Sequence, residues 1–273
     1  MNIAVAQWQS TPGQPEANRA KARSVIAEAA AENAELIVLP ELFTVGYFAF
    51  DAWEDAAEPF HGPTLSMASE MAEEHDIAVV AGSFVEDLAA TEAVDTPANR
   101  GIANTTVLVD RDGVIVTHYR KIHLFGYQSE EATRMVPGDR LGIGDLDGYT
   151  FGLSTCYDLR FPELFRAYVD AGVTHLAIPS AWPTPRAAHW SLLCRVRALE
   201  NQVFLAASNG VGEIDGTELC GRSCLIDPWG EPVVELDDKP GTGIGTAPLD
   251  AVGQIREEFP VLEDRRADLS RQS

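Results

Sequence analysis

Short apolar runs rich in β-branched residues recur along this chain, separated by longer stretches patterned like amphipathic helices. No other feature constrains the fold as much. Residues 2–7 (NIAVAQ) read as a strand, 15–34 as a helix with Pro15 suited to its first turn, and 35–41 (ELIVLPE) as the next strand. A helix near 63–75 precedes strands at 77–86, 104–110 and 114–121, the last two joined by an RDG hairpin turn. YTFGLSTCYD (149–158) then reads as a strand, FPELFRAYVDAG (161–172) as a helix with a glycine stop, and THLAIPSAW (174–182) as a strand. A long helix at 185–202 follows, then sheet segments in VFLAASNG, GRSCLIDPWG and EPVVEL, and a helix near 251–258. Hairpins mixed into the strand–helix alternation predict an α/β fold with mixed sheets between helices, not a purely parallel barrel. No repeat, low-complexity tract or long linker interrupts the pattern, so residues 1–273 are expected to form one domain.

Charge narrows the function. With 20 basic and 42 acidic residues the formal charge is -22, a surface that repels nucleic-acid phosphates and anionic lipid headgroups. Neither nucleic acid nor membrane is an expected partner. No apolar run approaches the roughly 20 residues that span a bilayer, and MNIAVAQWQS reads as a first strand and not as a signal peptide. A cytoplasmic location is expected. Cys156, Cys194, Cys220 and Cys224 are too few to staple a chain of this size and read as free thiols. Cys220 and Cys224 lack a second Cys/His pair at zinc spacing and are expected on alternating faces of one strand. His61, His75, His118 and His175 show no mutual ligand spacing, and KPGTGIG fits neither dinucleotide nor P-loop patterns. No metal and no cofactor is expected.

Three predicted strand ends carry chemistry: Glu41 in VLPELF, Lys121 in HYRKIHLFG and Cys156 in LSTCYDLRF. Functional groups gather at such ends in α/β folds. Singly, each has a structural alternative: a capping or ion-paired carboxylate, a strand-terminal cation, a small buried thiol. Lys121 stands out because Lys21 and Lys239 are the only other lysines. Acyl transfer unites the three. A thiol needs a proton acceptor, a carboxylate can take that proton and return it to a leaving amine, and a cation can hold the oxyanion. A Cys–His pair using His123 or His189 is the competing arrangement, but the papain-type cysteine signature is missing.

PELF, RKIHLFG and STCYDLRFPELFR resemble, in order, the three signature motifs of the nitrilase (carbon-nitrogen hydrolase) superfamily. The likeness continues through IPSAW, HWSLLCRVRALENQ and SCLIDPWGEPV. This resemblance implies a four-layer αββα sandwich that pairs through helices into a homodimer or higher homo-oligomer. It also implies a catalytic set of Glu41 as general base and acid, Lys121 at the oxyanion and Cys156 as nucleophile, with the Tyr157 backbone N–H as second oxyanion donor. The family often adds a second glutamate before a PGD; in SEEATRMVPGD this is Glu131 by its distance to Pro137, with Glu130 the alternative. CYDLRFPELFR, IPSAW and HW most resemble the small aliphatic amidases, including omega-amidases and deaminated-glutathione amidase. True nitrilases commonly follow the cysteine with tryptophan and glutamate, where this chain has Tyr157 and Asp158.

The expected reaction is hydrolysis of a small, carboxylate-bearing amide by water through a Cys156 thioester, with ammonia released. A helix beginning near Phe161 is expected to favour the thiolate. N-carbamoyl amine hydrolysis, nitrile hydrolysis and a non-catalytic binding role are the alternatives. Arg160, whose planar fork suits a carboxylate, and Tyr47 are the candidate substrate-binding residues. An ion pair of Arg160 with Asp158 or Glu163 is the competing role for the former.

Overall fold

Parallel pairing of strand β1 (Asn2–Gln7) with β2 (Leu36–Val38), across helix α1 (Pro15–Ala31), starts the first sheet. In this computed structural model, which describes residues 1–92 and 94–266, helix α2 (Pro63–His75) leads to β3 (Ala78–Asp87), parallel to β2. Residues 267–273 of the expected domain lie outside the described residues. The antiparallel strands β4 (Ile102–Val109) and β5 (Ile115–Arg120) follow, then a one-turn helix α3 (Glu131–Arg134). The second half contains β6 (Gly142–Leu146), β7 (Tyr149–Leu153), α4 (Pro162–Asp170), β8 (His175–Ser180), α5 (Ala187–Asn201) and β9 (Phe204–Asn209). It closes with β10 (Val211–Ile214), β11 (Thr217–Cys220), β12 (Cys224–Ile226), β13 (Pro232–Glu235), β14 (Gly241–Thr246) and α6 (Leu249–Glu258).

Two six-stranded mixed sheets result, ordered β14-β1-β2-β3-β4-β5 and β13-β12-β9-β8-β7-β6, with β10 and β11 as a separate hairpin. Strand periodicity explains the layering. Ile3, Val5, Leu36, Val38 and Val80 meet Phe151, Leu153, Ala177, Phe204 and Leu225 between the sheets. The alternate residues Ala4, Ala6, Ile37 and Val79 turn to α1 and α2, which supply Ala22, Val25, Ile26, Leu65 and Ala68. On the far side Leu176, Ile178, Leu205 and Ala207 pack on Leu164, Phe165, Tyr168, Trp190 and Cys194 of α4 and α5. Each buried Val, Leu, Ile or Phe among them contributes about 1.5–3 kcal/mol. The layers are therefore helix, sheet, sheet, helix, as the sandwich implied by the motifs requires. Proline at the first turn of α1, α2 and α4 fits positions whose N–H has no intrahelical partner.

Several boundaries differ from the sequence expectation. The strand foreseen at 149–158 stops at Leu153, and Cys156–Arg160 form a short 3-10 helix. The strand foreseen at 35–41 is only Leu36–Val38. Cys220 ends β11 and Cys224 begins β12, so they do not share a strand, although both enter the core beneath α5. Strand β14 was hidden because glycines occupy half of GTGIGT. Packing requires at least one of them: a Cβ on Gly243 would lie 2.5 Å from Val234 Cγ1. The sheets also approach closely at Gly82, where a Cβ would fall 1.9 Å from Pro179 Cγ. The β3 register shifts there, and Ser83 Oγ accepts the Leu42 N–H at 3.0 Å, which fixes the turn carrying Glu41.

Candidate active site

Glu41 stands three residues beyond β2, Lys121 directly follows β5, and Cys156 stands three residues beyond β7. The two sheets bring these ends together in one buried polar cluster. Lys121 Nζ donates to Glu41 Oε1 at 2.8 Å and to both Glu131 oxygens, at 3.0 and 2.8 Å. Asn104 Nδ2 donates to Glu41 Oε1 and Glu131 Oε1, both at 2.9 Å. The Ala181 N–H, just past β8, donates to Glu41 Oε2 at 2.9 Å. Every acceptor position of Glu41 used by the protein thus faces a donor.

Glu131, not Glu130, is the second glutamate of the cluster. It is fully buried and also accepts from the Phe125 N–H at 2.7 Å and the Tyr47 hydroxyl at 3.1 Å. Glu130 instead pairs with Arg134 at the surface. Tyr47 places its ring 5.3 Å from Lys121 Nζ. Its hydroxyl lies 2.9 Å from that of Ser129, so this predicted pocket residue touches the ammonium and the second carboxylate as well as the cavity.

Burial dominates the electrostatics. It raises the Glu41 carboxyl above the usual range, opposed by Lys121 and reinforced by the charge of Glu131. For Lys121 burial pulls the other way, but Glu131 and Glu41 outweigh it and hold the ammonium well above its ordinary value. Burial and then the Glu41 charge push the Cys156 thiol well up, against Lys121 and the Ala181 N–H. A resting thiol beside a carboxylate whose proton affinity is increased is arranged for proton transfer at the moment the sulfur attacks.

Cys156 sits at φ 46°, a left-handed conformation that costs a non-glycine residue about 1–3 kcal/mol. A buried capping box holds it there: Thr155 caps the 3-10 helix, and Asp158 returns a carboxylate oxygen to the Thr155 N–H at 2.9 Å. Asp158 also accepts the Tyr119 hydroxyl at 2.8 Å and the His123 N–H at 3.1 Å, and lies 2.7 Å from His123 Nδ1. One carboxylate therefore ties the segment after Lys121 to the Cys156 turn. Asp158→Ala is expected to leave these donors unpaired and to lower stability by about 3 kcal/mol. Thermal melting with and without Tyr119→Phe measures it; additive losses in the double variant would show that the two do not share one network.

The 3-10 helix, and not α4, carries Cys156. As its second residue, Tyr157 presents a backbone N–H with no acceptor inside the helix, so it is available to an oxyanion. Arg160 makes neither foreseen ion pair. Its guanidinium lies 4.8 Å from the Trp182 ring centre and 5.9 Å from that of Tyr157, with Nη2 3.3 Å from His189 Nδ1. Arg160, Trp182 and Tyr157 line a small, partly open cavity together with Cys156.

Asn104, the Ala181 N–H and Arg186 were missed from sequence. Asn104 had a legible signal, since Asn104, Thr105 and Thr106 form a polar run, fully buried, inside the otherwise apolar β4. Ala181 contributes only backbone, which no side-chain pattern reveals. Among the described residues no group of three or more acidic, histidine or cysteine side chains is placed to hold a metal ion.

Comparison with known proteins bears on the family and the fold. The model of the carbon-nitrogen hydrolase family matches residues 2–257. A 2-oxoglutaramate amidase of Bacillus subtilis is 35% identical over 267 residues, covering 98% of each chain. A CN-hydrolase superfamily protein of Xanthomonas campestris, solved with an arsenic adduct in its active site, superposes with a TM-score of 0.87 at 29% identity, covering 98% of this chain and 97% of that one. A mutant amidase of Nesterenkonia sp. AN1 superposes at 0.80 with 28% identity, covering 99% and 95%. It carries the acetamide moiety of fluoroacetamide covalently added at the active-site cysteine. The αββα layers, the motif order and these matches together show that the chain belongs to the carbon-nitrogen hydrolase family.

Proposed function

We propose that this protein hydrolyses the terminal amide of a short dicarboxylic or 2-oxo dicarboxylic acid. The observation that carries the reading is the convergence of Glu41 and Lys121 on Cys156, which itself lines a small cavity shared with Arg160. The names of the relatives support the same substrate class.

Glu41 takes the thiol proton as Cys156 attacks the amide carbonyl, and the oxyanion is held by Lys121 and the Tyr157 N–H. Collapse of the tetrahedral adduct breaks the C–N bond, Glu41 gives its proton to the leaving nitrogen, and ammonia departs. The thioester on Cys156 is then attacked by water, which Glu41 deprotonates. The second adduct expels the thiolate, which recovers its proton from Glu41 as the carboxylic acid leaves. Glu131 keeps Lys121 charged and anchors the Phe125 segment. No cofactor enters this cycle.

Exposed Leu192 and Leu199 on α5, with the stacked pair Trp229 and Phe259, support pairing of subunits through this helical side. All four cysteines are free, which supports a reducing compartment such as the cytoplasm. No helix among the described residues is long and apolar enough to cross a membrane.

Ammonia release from succinamate, 2-oxoglutaramate, an N-carbamoyl amine and a simple nitrile tests the substrate class. The first two are expected to be turned over, with an acyl adduct on the Cys156 peptide after acid quenching. Carbon dioxide alongside ammonia would move the assignment to carbamoyl hydrolysis, and no Cys156-dependent turnover of any of them would reject it.

A further inference from the structure

Two guanidinium groups line the Cys156 cavity, Arg160 and Arg186. Among the described residues neither is ion-paired with a carboxylate; their side chains rest on aromatic rings and, for Arg160, beside His189. That is unusual in a chain with 42 acidic and 20 basic residues, where acid partners are abundant. Most other arginines among the described residues have found one: Arg120 with Glu86, Arg134 with Glu54 and Glu130, Arg197 with Glu200.

The pair is held in place by neighbouring packing. Arg186 ends the 3-10 turn Thr184–Arg186 that precedes α5, and its carbonyl accepts the Trp182 indole N–H at 2.9 Å. The ring of the same tryptophan lies under the Arg160 guanidinium. Arg186 in turn lies 5.5 Å from the centre of the Phe125 ring, and the Phe125 backbone is fastened to Glu131. Stacking on a ring leaves the N–H edges of a guanidinium available to a planar acceptor. Burial, together with the nearby Arg186 charge, holds the Arg160 guanidinium below its ordinary value. Two neighbouring cations without counter-charges repel each other, and an anion between them relieves that repulsion. The need is sharpened by the net charge of -22, which opposes entry of an anionic substrate.

We propose that Arg186 is a second carboxylate-binding arm of the pocket, acting with Arg160 to select amides whose acyl group ends in a carboxylate. The assignment rests on amide hydrolysis at Cys156 and adds a specificity-determining residue to it. The arms come from separate elements, the Cys156 helix and the turn before α5. Their joint grip therefore also sets how far the carboxylate stands from the scissile amide.

The test compares kcat/KM for succinamate and for butyramide, which has a methyl group in place of the carboxylate, in wild type, Arg186→Gln and Arg186→Lys. The succinamate-to-butyramide ratio is expected to fall roughly 10- to 100-fold in Arg186→Gln, chiefly through KM, as for loss of a charged hydrogen bond. Arg186→Lys keeps the charge but not the planar fork and is expected to lower the ratio less, by about threefold to tenfold. If the glutamine variant does not fold, the lysine variant decides in the same way. Wild-type activity with an unchanged ratio in the variants overturns the assignment of Arg186 alone. No ammonia from either amide with wild-type enzyme overturns the hydrolase reading, and this proposal with it.

Discussion

Cys156→Ala is expected to lower kcat by about 10⁵- to 10⁶-fold, the loss typical of removing a catalytic nucleophile whose partners cannot substitute for it. Glu41, Lys121 and the Tyr157 N–H remain in this variant, but without sulfur no thioester forms. Ammonia release and the mass of acid-quenched enzyme both report the loss; residual turnover above about 1% of wild type would show that another group attacks. A companion variant separates chemistry from fold. Cys156 holds φ 46°, which alanine must also adopt, whereas glycine populates that region freely. Cys156→Gly should therefore be equally inactive and more stable than Cys156→Ala by about 1 kcal/mol, read from denaturant midpoints. Equal stability of the two would mean that the turn relaxes once the thiol is gone.

That strained turn also marks where sequence reasoning stopped short. The apolar run YTFGLS extends naturally through Cys156 by alternation, yet the chain leaves the sheet at Leu153. What ends the strand is the Thr155–Asp158 capping box, whose carboxylate is also claimed by Tyr119 and His123 from a segment some 35 residues earlier in sequence. Local periodicity carries no trace of such a long-range contact. The helices behaved differently. α2 matched its expected limits because Pro63 sets its start and a left-handed Asp76 its end, both local effects.

Glu41, Lys121 and Cys156 were legible because strand ends concentrate chemistry and because their motifs resemble a known family. Glu131 was implied by the family likeness, which its distance to Pro137 favoured over Glu130, and it is Glu131 that joins the buried cluster. Arg186 was not legible, since only the fold places the turn after β8 beside the helix carrying Arg160. The Ala181 N–H bond to Glu41 was equally invisible, whereas the part proposed for the Tyr157 N–H is what the family likeness implies. Substrate selection is the part of function that depends most on such contacts between distant segments.

Glu41→Gln is expected to lower kcat/KM by about 10⁴-fold and to remove the acid limb of its pH profile. In wild type, burial and the Glu131 charge raise the Glu41 carboxyl against the opposing pull of Lys121. Because the ionised form accepts the thiol proton in the proposed cycle, kcat/KM should fall as pH drops through this raised value, above the ordinary glutamate pKa of about 4.3. The isosteric amide cannot take the proton, and it cannot replace the carboxylate structurally either. Oε1 accepts from Lys121 and Asn104, and Oε2 accepts from the Ala181 N–H. In either orientation the glutamine NH₂ meets a donor, leaving a buried clash that displaces Lys121 or the end of β8. Lys121 would keep its charge through Glu131, so loss of the base and not of the cation accounts for most of the effect. The pH profile is the deciding measurement. A Glu41→Gln enzyme that is slower but retains the wild-type acid limb would assign proton transfer to a different group, whereas a flat profile over that range assigns it to Glu41.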